Sequence, residues 1–432
     1  MRLIDDLKTL SVNARFRKLL GVRLVSQSGD GMFQAGMASL FFFRPEAMTD
    51  AAGVAAALVV MLLPFSIVGP FTGPFLDRWR RRQILVYGNI LRAVLVAVTI
   101  VAMETLGAGL PVYTLVLVTL GLSRFMLSGL SAGLPMVVGS KERLLVANSV
   151  VPTLGGVATG VGAAIGFLLR LLLPPGASQQ MASLVIASLL YFGAAAVARF
   201  LAPDELGPEI PDTSTSLMNQ VKQAAVDLVD AVRYLARRGT PGLALSTMAL
   251  HRFVYGMQLI TIILAGRNLL VDPSNADAGL AAFGSLMGAM VTGHFVAVIL
   301  TPIAHERISP SRWIVLCLLG GTAGQMLIVF SHQWGLFMAG LFIFGIGVQG
   351  AKIAVDTIVQ SDTADAYRGR AFSIYDVLFN VAECVAAGVA ILVLPNIGWS
   401  RPVQIALIVF VWTVALGYNY LVGKLGDQPR EA

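Results

Sequence analysis

Charge is what this sequence has least of. Of its 432 residues only 13% are Asp, Glu, Lys or Arg, whereas 56% are hydrophobic. A water-soluble globular chain has roughly a quarter of its residues charged. Half that density cannot cover a wetted surface of this size, which excludes a disordered chain and argues against a soluble enzyme. The mean hydropathy of +0.77 agrees. Cysteine is nearly missing too: Cys317 and Cys384 sit far apart in apolar segments, so there is no disulfide framework and no thiolate metal site. The four histidines are scattered, and His305-Glu306 lacks the second histidine of a zinc-protease helix. No phosphate-binding loop ending in Gly-Lys-Ser/Thr occurs, so the chain has no ATP engine of its own. One Gly-x-Ser-x-Gly match, Gly129 to Gly133, lies inside a long apolar run instead of at a strand-to-helix elbow, and is read as chance. No catalytic residue, metal or cofactor is expected, and the chain is not read as an enzyme.

What is present is material for a membrane. A bilayer core takes about 20 apolar residues per helical span, and the chain holds enough for roughly twelve. Apolar runs lie near 19–43, 51–76, 84–106, 111–138, 146–173 and 180–202. A polar stretch follows from 203 to 240, then six more runs near 241–265, 278–304, 313–332, 335–360, 370–395 and 402–422. Strands are excluded, because an open sheet cannot satisfy its backbone in lipid. The expected fold is therefore an all-α integral membrane protein with twelve transmembrane helices in two six-helix bundles. Its expected domains are 1–202, a linker over 203–240, and 241–432.

Orientation follows from the basic residues. With alternating sides assigned to the loops, 21 Lys and Arg fall on one side, and only Arg44, Arg170, Arg267 and Arg401 on the other. That bias places both termini in the cytoplasm. It also accounts for the net charge of +7 without any nucleic-acid partner. The N-terminal stretch contains acids and no cleavable signal, so the first span is expected to be retained. The excess of Arg over Lys, with abundant Ala, Gly and Val, points to a GC-rich bacterial genome. In the linker, Leu217, Val221, Ala224, Leu228, Val232 and Leu235 recur at helical steps with charges off the stripe, which predicts an amphipathic helix on the cytoplasmic leaflet. It serves either as a tie between bundles or as a docking or regulatory element. The pairs Gly69/Gly73, Gly156/Gly160, Gly162/Gly166, Gly284/Gly288 and Gly320/Gly324 are read as close helix-packing points.

Charges inside spans are costly and are functional candidates by default. Asp30 in the first run, Arg92 in the third, Arg124 in the fourth, Arg252 in the seventh, Lys352 and Asp356 in the tenth, and Asp376 and Glu383 in the eleventh qualify. His251 and His294 add titratable groups. At 1.5 Å per residue, Asp30 and Arg252 each lie roughly 17 Å into their helices. The first and seventh runs open the two halves, so an Asp30–Arg252 pair across the halves is expected. Lys352 and Asp356, four apart, can pair on one helix face, as a gating pair or a substrate site. Glu383 has no evident local partner and is a candidate proton carrier. Arg92 lies about 12 Å from its cytoplasmic end, and the favoured reading is a side chain that snorkels to the surface.

The loop after the second run reads Gly73-Pro-Phe-Leu-Asp77-Arg78-Trp79-Arg80-Arg81-Arg82. It resembles the G-x-x-x-D-R-x-G-R-R/K signature of the major facilitator superfamily, with Arg80 where the family usually has Gly. The second-half counterpart, Thr301 to Arg307, is degenerate. Leu120 to Gly129 looks like the family's fourth-helix motif around its membrane arginine, Arg124, with the glycine one position late. Asp356 to Gln360 and Arg368 to Asp376 look like the tenth-to-eleventh helix junction of bacterial efflux-type members. The resemblance covers essentially the whole chain. It implies alternating access about a cavity lined chiefly by helices one, four, seven and ten. It also implies a cytoplasmic gating set of Gly73, Asp77, Arg78, Arg81, Arg82, Arg370 and Asp376, in which the Asp77 carboxylate sits by the start of the eleventh helix.

The expectation is a monomeric secondary transporter in the bacterial inner membrane, surrounded by lipid and acting on a small, amphiphilic substrate. The proton gradient drives export through Asp30, Arg124, Arg252, Lys352, Asp356 and Glu383. An importer or lipid flippase of the same fold is the alternative, and a non-transporting membrane scaffold or sensor is the alternative of another class.

Overall fold

The computed structural model describes residues 12–42, 52–55, 58–59, 79–107, 109–138, 141–174, 177–206, 216–330 and 333–426. Every regular element among them is helical. In chain order these are α1 (Ala14–Phe42), α2 (Arg81–Leu106), α3 (Leu110–Val138), α4 (Lys141–Leu172), α5 (Ala177–Arg199) and α6 (Leu217–Arg238). They continue as α7 (Thr240–Asn268), α8 (Ala276–His305), α9 (Pro310–Phe330), α10 (Trp334–Asp362), α11 (Asp365–Val393) and α12 (Arg401–Gly426). Ten of these, all but α1 and α6, are long and apolar enough to cross a bilayer. Helix α1 has the length, but Arg23, Ser26, Gln27 and Asp30 on it dilute its hydropathy, and all four are buried in the protein. Most of the run at 51–76 lies outside the described residues, as do both chain ends, Gly69, Gly73, Asp77 and Arg78.

Helix contacts divide the chain into two compact units, one of 1–41 with 67–225 and the other of 42–66 with 226–432. The dividing point falls inside α6. In the first unit α2 packs against α3 and α5, and α4 against α5. An apolar cluster of Leu19, Val22, Leu85, Met126, Leu130 and Val151 fills its interior. In the second unit α10 lies against α8 and α9, α7 against α11, and α12 against α9.

Glycines set the closest approaches, but not all those expected to. A Cβ on Gly31 of α1 would run into the Thr159 carbonyl of α4, and one on Gly162 of α4 into the Ser28 carbonyl of α1. Gly324 and Gly340 likewise bring α9 and α10 backbone to backbone, and Gly293 and Gly345 do so for α8 and α10. Gly156, Gly160, Gly288 and Gly320 meet nothing within 4 Å. A four-residue spacing puts two glycines on one face; it does not say that the face meets a neighbour.

Two turns need residues of a particular kind. Gly239, at φ 85°, ends α6 by donating to the Leu235 carbonyl at 3.3 Å and turns the chain straight into α7. Between α7 and α8, the Asp272 carboxylate accepts from Ser274 N at 2.9 Å and Ser274 Oγ at 2.7 Å, which holds its pKa below the usual carboxylate value. Asn275 then caps α8, its Oδ1 accepting from Ala278 N at 3.0 Å.

Candidate functional site

The intramembrane charges form three groups. In the first unit, Arg92 of α2 is wholly inaccessible and does not snorkel. Its Nη1 donates to Asp30 Oδ1 of α1 at 2.8 Å and to Ser123 Oγ of α3 at 2.9 Å. Its Nη2 donates to Ser26 Oγ at 2.6 Å and to Asn89 Oδ1. Asp30 Oδ1 also accepts from Ser123 Oγ at 2.9 Å and from the Tyr191 hydroxyl of α5 at 2.8 Å. The guanidinium carbon lies 4.1 Å from the centre of the Tyr191 ring. Gly29, one residue before Asp30, leaves the space that this ring occupies. A guanidinium buried so deeply is tolerable only when a carboxylate neutralises it and further acceptors take its protons. Three helices supply them here, and Tyr191 of a fourth donates to the carboxylate.

In the second unit, Arg252 of α7 forms an ion pair with Glu383 of α11. The Glu383 side chain is 5% exposed and that of Arg252 22%, so the guanidinium keeps an open side. Its carbon sits 3.8 Å over the Tyr255 ring and 5.0 Å from that of Phe379. Gly256 lets α7 and α11 meet at this level, since a Cβ there would press on Ala386 and on the Glu383 backbone. His251 is buried beside Arg252, its ring 5.9 Å from that of Phe344, and its Nδ1 has no hydrogen-bond partner. His294 of α8 is half-buried, with its Nε2 likewise unpartnered.

The third group lies on α10. Lys352 Nζ and Asp356 Oδ2 are 2.6 Å apart, one helical turn from each other. The ammonium lies 5.9 Å from the Tyr375 ring, which packs edge-on against Phe379 at 4.1 Å. The aromatic rings thus run from Arg252 to Lys352 along one strip of α11. Arg124 of α3 is half-buried.

The expected Asp30–Arg252 pair is overturned. Each charge has its partner in its own unit, Asp30 with Arg92 and Arg252 with Glu383. Depth alone suggested the pairing, and depth does not fix the direction in which a side chain leaves its helix. Glu383 correspondingly has the partner the sequence did not reveal. Tyr191, Ser26, Ser123, Asn89, Tyr255 and Phe379 were missed. The available signal was modest: Asn89 and Arg92, three apart, put two strongly polar residues on one face of an otherwise apolar run.

Near the helix ends, the described gating candidates bind within their own units. Arg81 Nη1 donates to the Leu206 carbonyl at 2.8 Å, and Arg82 Nη2 to the Arg199 carbonyl at 3.2 Å. Arg370 Nη2 meets Asp227 Oδ2 of α6 at 3.1 Å. Asp376 is half-buried on α11, and Asn380 donates to its backbone carbonyl at 2.7 Å. Around Arg370, α6 and the first residue of α7 grip the α10–α11 junction at several points. Tyr234 stacks on Tyr367 with centroids 4.2 Å apart, and its hydroxyl accepts from Ala364 N at 3.1 Å. Arg238 Nε donates to the Asp362 carbonyl at 3.2 Å, and Thr240 Oγ1 to its carboxylate at 2.6 Å. Among the described residues no group of His, Cys, Asp and Glu is placed to hold a metal ion.

No protein-family model matches the chain. It is 33% identical over 418 residues to an uncharacterized MFS-type transporter of Mycobacterium bovis, covering 95% of this chain and 92% of that one. The same figures hold for an uncharacterized MFS-type transporter of Mycobacterium tuberculosis. Among solved structures, the nucleoside transporter NupG is similar with a TM-score of 0.66 at 12% identity, covering 95% of this chain and 99% of that one. An auto-inhibited peptide transporter of the POT family gives 0.61 at 13% identity over 96% and 98%. A bacterial homologue of the iron transporter ferroportin gives 0.56 at 17% identity over 95% and 99%.

Proposed function

The chain belongs to the major facilitator superfamily, and on that premise we propose that it is a proton-coupled exporter of a small amphiphilic molecule. It works by alternating access in the cytoplasmic membrane of a bacterium, with both termini inside. The nucleoside, peptide and iron named for its structural neighbours differ so widely that the fold selects no substrate; the side chains must.

The observation that carries the reading is the Arg252–Glu383 pair. A carboxylate paired with a guanidinium and a carboxyl holding a proton are alternative states of one group. When Glu383 takes a proton on its carboxylate oxygen, Arg252 loses its counter-charge and is released to bind the polar end of a substrate. When Glu383 loses that proton, the pair re-forms and the polar end is displaced. The Tyr255, Phe379 and Tyr375 rings supply the wall for an apolar body, and Lys352 with Asp356 lies at its far end. Asp30 has a supporting role in this reading: its Oδ1 accepts from Arg92, Ser123 and Tyr191.

The test uses proteoliposomes containing the full chain, loaded with fluorescent amphiphiles of differing charge. With an imposed pH gradient, at least one amphiphile is expected to move against its concentration gradient, and the Glu383→Gln variant is expected to move it only downhill. Flux indifferent to a collapsed gradient would remove the coupling claim. Normal uphill transport by Glu383→Gln would remove that residue from it.

A further inference from the structure

We propose that the turn between α8 and α9 carries a binding site for the phosphodiester headgroup of an anionic phospholipid. A cavity of about 350 Å³ is lined by Arg307, Ile308, Arg312, Val315, Leu316 and Asn419. Two arginines therefore border one small cavity whose remaining lining residues are Asn419 and the aliphatic Ile308, Val315 and Leu316. Neither Arg307 nor Arg312 makes a side-chain hydrogen bond, ion pair or ring contact among the described residues.

Several other basic side chains near the ends of the spans do find partners. Arg15 lies by Glu205 at 3.5 Å, Arg80 by Asp204 at 3.1 Å and Arg370 by Asp227 at 3.1 Å. Arg81, Arg82 and Arg238 each hold a backbone carbonyl. A general bias of basic residues toward one side explains why arginines are present. It does not explain two unpaired ones around one apolar-floored cavity, where their mutual repulsion is uncompensated.

A phosphodiester answers both features. Its oxygens match the planar fork of a guanidinium, and one anionic group can bridge two arginines. The cavity lies where α8 ends and α9 begins, at the level where a spanning helix meets lipid headgroups. Leu316 is 49% exposed on the first turns of α9, so an acyl chain attached to the headgroup has an apolar track to follow into the bilayer. A free phosphate ion would use the arginines and leave Ile308, Val315 and Leu316 without a role. The occupant is therefore the lipid.

The test measures lipid binding to the purified full-length protein by native mass spectrometry. It compares phosphatidylglycerol with phosphatidylcholine of identical chains. Wild type is expected to prefer phosphatidylglycerol. Arg307→Gln with Arg312→Gln is expected to bind it roughly thirtyfold more weakly, from the attraction each basic residue has for an anionic lipid. Both side chains are exposed and unpaired, so the double variant should unfold at the wild-type temperature. Leu316→Ser is expected to weaken phosphatidylglycerol binding with both arginines intact. Equal binding of the two lipids by wild type, or full retention of phosphatidylglycerol by the double variant, overturns the proposal. Displacement of the lipid by millimolar inorganic phosphate would indicate a free-phosphate site and overturn it as well.

Discussion

Arg92 is the residue on which the first unit's polar interior depends. Removing one partner of a buried ion pair leaves an uncompensated charge and costs about 3–5 kcal/mol. Asp30→Asn should therefore lower the thermal stability of the purified protein sharply. Tyr191→Phe removes one hydrogen bond to a charged acceptor, an effect of about 1.5–3 kcal/mol. Thermal unfolding in detergent checks both, and an Asp30→Asn loss no larger than that of Tyr191→Phe would contradict the pairing described. The position of Asp30, Arg92, Arg252 and Glu383 inside apolar runs was legible in the sequence. Their partners were not, because Arg92 lies 62 residues from Asp30 and Glu383 lies four helices beyond Arg252. Residue depth can be counted along one helix, but partner choice needs the rotation of every helix about its axis.

Helix α6 shows the same limit for an element. Its periodicity announces an amphipathic helix, and α6 contains the whole stripe from Leu217 to Leu235. The stripe divides, however. Ala231 and Leu235 are buried against the protein, whereas Val226, Val229 and Val232 are half or more exposed. The sequence had assigned Val232 to the same face as Leu235. Two adjacent apolar stripes look like one in a helical projection, and only packing tells which meets protein. What holds α6 down is polar and aromatic. The Asp227–Arg370 pair is part-exposed and is worth at most about 1 kcal/mol. The Tyr234–Tyr367 stack adds about 0.5–1.5 kcal/mol beyond its buried area. Tyr234→Ala should therefore speed hydrogen exchange across α6 and 362–370 more than Asp227→Ala does. Equal protection in both variants and wild type would mean that α6 is anchored by something other than this junction.

For the whole molecule, alternating basic loops and apolar runs carried enough information to read a multi-span membrane protein, because a bilayer constrains length and charge more tightly than water does; the resemblance to the superfamily came from the loop Gly73 to Arg82. The same alternation makes a topological prediction. A cysteine introduced at Ser216, before α6, should react with a membrane-impermeant thiol reagent only from the cytoplasmic side, and one at Ser274, between α7 and α8, only from outside. Cys317 and Cys384 would first be replaced by Ala. Labelling of both sites from one side would refute the orientation read from the arginines. What the whole-chain pattern could not supply is the internal neutralisation of each unit, which depends on side chains scattered through four helices in one case and two in the other.

That difference bears on how the protein is made. Asp30 emerges from the ribosome 62 residues before Arg92 and 161 before Tyr191. At synthesis rates of 5–20 residues per second, its hydroxyl partner arrives roughly 8–30 s later. Until Arg92 follows, roughly 3–12 s after Asp30, α1 carries an unneutralised carboxylate that hydrocarbon disfavours, and the hydrogen bond from Tyr191 completes the site last. The first helix is thus a poor candidate for early, independent release into lipid, and its settling has to wait for α2, α3 and α5. Insertion of the first unit should be a late and collective event, governed by the arrival of its last polar partner.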